Sequence, residues 1–157
     1  MPSSNRFRHH RSALALAVCA VLWPLSVCAS PTGNINLDAI NAAGAYAQGS
    51  TGAGVRIGIL DSGFDTTHIA FEGKDIIKLY SDQYLEKFGT GVNATQQSHG
   101  SHVAGIASGN SSVNYGVAKD ASLLLLYSTI QGPTMIYEVA DLYKKAIETY
   151  DDVKIYS

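Results

Sequence analysis

Cysteine is almost absent from this chain. Its two cysteines, Cys19 and Cys28, both lie in an N-terminal leader, so the processed chain would carry none. That excludes a disulfide framework, a thiolate metal site and a cysteine nucleophile, although an oxidising compartment would allow disulfides. Charge is also sparse and balanced. With 15% charged residues and a formal net charge of -2, nothing points to nucleic acid or an acidic membrane surface as a partner. Low-complexity tracts are missing, and 46% hydrophobic residues is the content of an ordinary globular protein. No apolar run reaches membrane length. The run near the N-terminus is broken by Pro24 and falls short of the ~20 residues that a spanning helix requires.

That N-terminal segment has the layout of a secretory signal peptide. Arg6, Arg8 and Arg11 form a positive region, Ala13 to Leu22 an apolar core, and Val27-Cys28-Ala29 a small-residue ending. Cleavage is expected after Ala29, which makes residues 1–29 the leader and leaves no stable membrane span. A lipoprotein signal would need a small residue before its cysteine, where Val18 and Val27 stand. The expected destination is therefore the exterior, either secreted or at the cell surface.

Residues 30–52 form a polar lead and an entry helix. Leu37, Ile40, Ala43, Gly44 and Ala47 recur at helical spacing, with Asn36 as N-cap and Gly49 just past the end. The glycines of GSTGAG precede a strand, whereas a dinucleotide-binding fingerprint follows one, so they carry no nucleotide signal.

The chain is organised around Val55 to Gly63, VRIGILDSG. A short apolar run that stops at Asp61 predicts a buried strand delivering a carboxylate to its C-terminal end, where open α/β sheets place their chemistry. Ser98 to Gly109, SHGSHVAGIASG, then puts His99 at the start of a helix of small residues suited to close packing. The two histidines of HGSH are three apart, with no glutamate between them, which is not the zinc-peptidase spacing. His102 is expected as a packing residue and His99 as the functional one. Asp61 would fix the His99 tautomer and stabilise the imidazolium formed when a nucleophile is deprotonated.

The remaining elements alternate. Ile76 to Tyr80 reads as a strand, Asp82 to Gln97 as an exposed polar connection, and Ser122 to Ser128, SLLLLYS, as a central strand covered on both faces. Gly132 to Thr134 opens a helix with Pro133 at N1 and an apolar face of Met135, Ile136, Val139, Leu142, Ala146 and Ile147. Asp152 to Ser157 begins a further strand. Such alternation predicts a right-handed parallel α/β sheet.

DSG at Asp61 to Gly63 and HGSHVAG at His99 to Gly105 resemble the aspartate and histidine boxes of the subtilisin-like serine peptidases (subtilases, peptidase S8). Ser101 stands where that family more often has threonine. Asp65 and His68 fall where the aspartate box continues, and Tyr115 to Ser128 resembles the strand segment after the histidine helix. The resemblance implies a three-layer fold, a parallel sheet with helices on both faces, present here incompletely as residues 53–157. It implies peptide-bond hydrolysis of polypeptide substrates through an acyl-enzyme, with Asp61 and His99 as catalytic residues. It also allows a calcium ligand at Asp65, for which an Asx-turn is the plainer expectation, and no cofactor is expected. Near the start, INLDAINAAGAYAQGSTGAGVRIGILDSG, Ile35 to Gly63, resembles the bacterial autotransporter branch of that family.

The resemblance also implies a glycine-flanked serine nucleophile and an oxyanion-hole asparagine, and no such motifs occur in this sequence. Ser62 and Ser101 lie beside the two boxes but not in a strained turn at a helix start. The chain is therefore expected to be the N-terminal piece of a longer reading frame, inactive alone. The alternative is a non-catalytic secreted α/β binding module that keeps the boxes for packing. A phosphotransferase with Asp61 as nucleophile would want a second acid two residues on, where Gly63 stands.

Overall fold

The computed structural model describes residues 32–91, 97–112, 115–130 and 132–157, and the expected leader at 1–29 lies outside them. Two short helices, α1 (Ile35–Ala39) and α2 (Ala42–Ala47), lead into strand β1 (Arg56–Asp61). A single 3-10 turn, Ile69–Phe71, precedes β2 (Ile76–Tyr80) and helix α3 (Asp82–Phe88). Helix α4 (Gln97–Ser108), strand β3 (Ser122–Tyr127), helix α5 (Met135–Thr149) and strand β4 (Val153–Tyr156) complete the order. Among the described residues no helix is long and apolar enough to cross a membrane.

The four strands form one parallel sheet in the order β2-β3-β1-β4. Leu123, Leu124, Leu125 and Leu126 of β3 are all fully buried, as a central strand covered on both faces requires. Successive side chains point to opposite faces and so feed two cores. Ile57, Ile59, Leu123, Leu125 and Tyr127 pack with Ala104 of α4 and Tyr84 of α3, while Leu124, Leu126, Leu79 and Val153 pack with Leu142 and Ala146 of α5. Helices thus cover both faces, and the fold is the expected three-layer parallel α/β arrangement. At ~1.5–3 kcal/mol for each fully buried aliphatic side chain, β3 anchors both layers.

Register places the chemistry. Asp61 ends β1 opposite Tyr127, which lies opposite Tyr80 at the end of β2, so three strand ends are level at the C-terminal edge. The other edge is tied by Arg56, whose guanidinium reaches Asp75 at 2.7 Å and Asp152 at 2.8 Å.

Four local expectations are corrected. The entry helix is two helices, because Asn41 takes a left-handed φ of 55°, a conformation asparagine tolerates better than most residues. Its N-cap is Asn34, not Asn36: the Asn34 side chain accepts from the backbone of Asn36 and Leu37. Residues 82–88 of the expected polar connection are helix α3, capped by Ser81 and anchored by the fully buried Tyr84. Helix α5 begins after Pro133, with Thr134 as its N-cap residue, and buries Glu138, Leu142 and Ala146, while Ile136 and Ile147 face solvent at 73% and 61% exposure. A carboxylate occupies a core position that the apolar pattern assigned to its neighbours.

Candidate active site

Asp61 is the last residue of β1, and its carboxylate is buried. Its Oδ1 accepts from the Ser62 backbone N–H at 2.7 Å and from the Ser62 hydroxyl at 3.1 Å. Its Oδ2 lies 2.7 Å from Nδ1 of His99, the third residue of α4. The carboxylate has no proton to give when ionised, so this contact assigns the ring proton to Nδ1 and leaves Nε2 as the basic lone pair. Nδ1–H to an ionised carboxylate at this distance is a charge-assisted bond, and it becomes an ion pair once the ring is protonated. The His99 side chain is 75% exposed, against 7% for Asp61, so the ring presents its free edge outward from a buried acid.

Close backbone approach makes the pairing geometrically feasible. A Cβ on the buried Gly100 would collide with the Gly63 carbonyl and with the Asp61 side chain, so only glycine lets α4 lie against the end of β1 at this point. Ser101 fastens the same contact from the next position. Its hydroxyl donates to the Gln97 carbonyl at 2.6 Å and accepts from the Asp65 N–H at 2.7 Å, tying the loop after Asp61 to the first turn of the helix. Beneath lies an aromatic floor. Phe64 is fully buried and meets Tyr127 edge-on with ring centroids 5.0 Å apart, and Tyr127 stacks on Tyr80 at 4.5 Å. Burial, with further repulsion from Tyr80 and Tyr84, holds the Tyr127 hydroxyl far above its ordinary pKa, so it stays neutral beneath the Asp61 strand end.

The other residues of the two boxes have different placements. Asp65 forms an Asx-turn: its Oδ1 accepts from the Thr67 backbone at 3.0 Å and from the Thr67 hydroxyl at 2.6 Å. The Thr67 hydroxyl and backbone bonds hold its carboxyl below the ordinary value of 3.8. Among the described residues, no three His, Cys, Asp or Glu side chains gather to hold a metal ion. His68 caps the 3-10 turn by accepting from the Ala70 N–H through Nδ1 at 3.1 Å. His102 is corrected. It is exposed, not packed, because the buried stripe of α4 runs through Gly100, Ala104 and Ser108. It borders a cleft of about 700 Å³ with Asp65, His68, Ser101 and Tyr115, a cleft that neither Asp61 nor His99 lines.

Ser62 and Ser101 do not present themselves as nucleophiles. Each hydroxyl donates to an oxygen within the site, Ser62 to Asp61 and Ser101 to Gln97. One residue of consequence escaped the sequence pattern: Glu138. The available signal was an acid one turn before Leu142 and two before Ala146, on the core face of its helix.

A family model described as the subtilase family, Peptidase_S8, matches residues 52–157. An extracellular serine protease of Serratia marcescens is 38% identical over 90 residues, covering 56% of this chain and 8% of that protein. The subtilisin-like proteinase Mp1 of Magnaporthiopsis poae is 38% identical over 69 residues, covering 42% of this chain and 14% of that protein. This chain therefore spans a small part of the length of these relatives. Among solved structures, the PatG macrocyclase domain superposes with a TM-score of 0.57 at 18% identity, covering 77% of this chain and 46% of that one. That likeness concerns the fold alone.

Proposed function

The chain belongs to the subtilase family of serine-type peptidases, and from that premise we propose that Asp61 and His99 are the acid and base of a secreted serine endopeptidase. The observation that carries the proposal is the 2.7 Å contact between Asp61 Oδ2 and His99 Nδ1. In the proposed reaction His99 Nε2 removes the proton from a serine hydroxyl as that oxygen attacks a peptide carbonyl. Asp61 stabilises the imidazolium so formed, and the ring then returns the proton to the leaving amine. The nucleophile and the oxyanion donors are proposed to come from polypeptide beyond these 157 residues, since no glycine-flanked serine motif follows a strand in this sequence. This fits the small share of its relatives that the chain covers.

Export is proposed on the signal-like composition of residues 1–29, and the extracellular name of the Serratia relative agrees with it. Cell-surface display by a C-terminal barrel, as in the autotransporter branch, is a further proposal supported by the INLDAINAAGAYAQGSTGAGVRIGILDSG stretch. The test is kinetic. In a polypeptide that carries this sequence together with its nucleophile, Asp61→Asn should lower kcat by ~10⁴-fold, as loss of the orienting carboxylate does in a serine triad. A kcat within a few-fold of the parent would refute the assignment.

A further inference from the structure

Glu138 sits on α5 and is only 1% exposed. Its Oε1 accepts from the Ser81 hydroxyl at 2.5 Å and from the Thr129 N–H at 2.7 Å, and its Oε2 accepts from the Thr129 hydroxyl at 2.6 Å. The neighbouring Ser128 side chain also favours the ionised carboxylate. Those partners are not scattered. Ser81 directly follows β2, and Ser128 and Thr129 directly follow β3, so one buried carboxylate clamps the exits of two neighbouring strands at the edge where Asp61 sits. Burying an ionised carboxylate is costly, and such a group persists where its hydrogen bonds are complete. An apolar residue would serve packing with Leu142 and Ala146 equally well, so the acid calls for an account in what it holds.

What it holds is one bond away from the site. The Ser128 N–H donates to the Asp61 backbone carbonyl at 3.0 Å, and the Ser128 hydroxyl accepts from the Ile130 N–H at 3.2 Å. Ile130 takes a left-handed φ of 45°, which a β-branched residue adopts only when its surroundings enforce it. The bend at residues 128–130 is therefore a strained turn, held between the Glu138 carboxylate on one side and the end of β1 on the other.

We propose that Glu138 is a positioning residue for the Asp61–His99 pair. By gripping Thr129 it fixes the turn after β3, and through the Ser128 N–H that turn fixes the end of β1 from which the Asp61 carboxylate projects toward His99. The proposal rests on the pairing of Asp61 with His99 described above, and it adds a remote residue on a different layer that sets the pair's geometry.

The readout is the ¹⁵N NMR of the His99 ring, which reports the nitrogen that carries the proton when the ring is neutral. In the parent chain the Nδ1–H form should dominate. Glu138→Gln keeps the shape but turns one acceptor into a donor, so it should shift His99 toward the tautomer mixture of a free imidazole while far-UV circular dichroism still shows the fold. Ser81→Ala separates positioning from general loosening. It removes the bond to Glu138 and the α3 cap on the Tyr84 N–H but leaves both Thr129 bonds in place, so it should lower Tm and leave the His99 tautomer unchanged. Where Glu138→Gln does not fold, Thr129→Val decides, with a loss of the Nδ1–H form expected. Retention of that form in the folded Glu138→Gln or in Thr129→Val, or an equal shift in Ser81→Ala, overturns the proposal. Absence of the Nδ1–H form in the parent chain instead refutes the underlying Asp61–His99 pairing.

Discussion

Asp61 Oδ2 and His99 Nδ1 stand 2.7 Å apart across the boundary between protein interior and solvent, the acid 7% exposed and the imidazole 75%. The two residues therefore depend on different supports. The carboxylate is held by its strand end and by Ser62, whereas the ring is held to the protein by the carboxylate and by the start of α4. Substitutions that move α4 relative to β1 should separate the pair before they unfold the sheet.

Gly100→Ala is the most direct of these. Its Cβ would collide with the Gly63 carbonyl, a backbone atom that cannot rotate aside, so the helix must shift. A loss of ~1–3 kcal/mol or more is expected from overpacking, read as a fall in Tm. Gly105→Ala on the same helix is the control. Nothing lies within 4 Å of the added methyl, so it should be neutral or stabilise by up to ~1 kcal/mol through helix propensity. Equal Tm values for the two variants would contradict the close-approach account.

Ser101 offers a second, milder test. Ser101→Ala strips the acceptor from the Asp65 N–H and should cost ~1–3 kcal/mol, the range for a polar group left without its partner. Ser101→Thr keeps the hydroxyl and should stay within about 0.5 kcal/mol of the parent, the usual scatter for an innocuous change. Chemical denaturation distinguishes the two, and a Ser101→Ala variant as stable as the parent would show the bridge to be idle.

Acid stability should report Glu138. Burial raises its pKa, but the bonds from Ser81 and Thr129, together with the Ser128 side chain, outweigh burial and leave the folded carboxyl below its ordinary value of 4.5. The unfolded chain then binds more protons than the folded one in that range, so stability rises with pH there. This contribution is present above pH 4.5 and is lost as pH falls through the lower folded-state value. Glu138→Gln should flatten the acid limb of a Tm-against-pH curve, and an unchanged limb would contradict the depressed value.

Catalysis by the isolated chain is the next expectation. With neither a GTS-type serine motif nor an oxyanion-asparagine motif recognisable in the sequence, the purified 157-residue chain should not turn over a broad peptide library above background. Turnover abolished by His99→Ala would show that a hydroxyl within this chain serves as nucleophile.

Much of this arrangement was legible in the residues, and the illegible parts have a common physical cause. RIGILD and SLLLLY announce themselves because a strand buried on both faces must be apolar throughout, and Asp61 interrupts that run conspicuously. The small residues of α4 signal close packing by composition alone. Periodicity failed where a polar group was buried or a polar segment carried one buried ring. Glu138 belongs to the core face of α5, so the apolar pattern drifted to Ile136 and Ile147, both solvent-exposed. In DQYLEKF the buried Tyr84 is outnumbered by charged neighbours, so α3 looked like a loop. The break at Asn41 depends on one left-handed residue, which a hydrophobic count does not register. Tertiary contacts decided these cases, and they involve partners distant in sequence, such as Glu138 with Ser81.

The central claim is that Asp61 and His99 act as a pair, and the ring nitrogens of His99 test it most directly. In ¹⁵N NMR of the parent chain, with the ring neutral, the proton should reside on Nδ1, facing Asp61 Oδ2 at 2.7 Å. Asp61→Asn should abolish that preference, since an amide can meet the ring with either a donor or an acceptor. A His99 tautomer that is mixed in the parent chain, or one that Asp61→Asn leaves unchanged, would contradict the account.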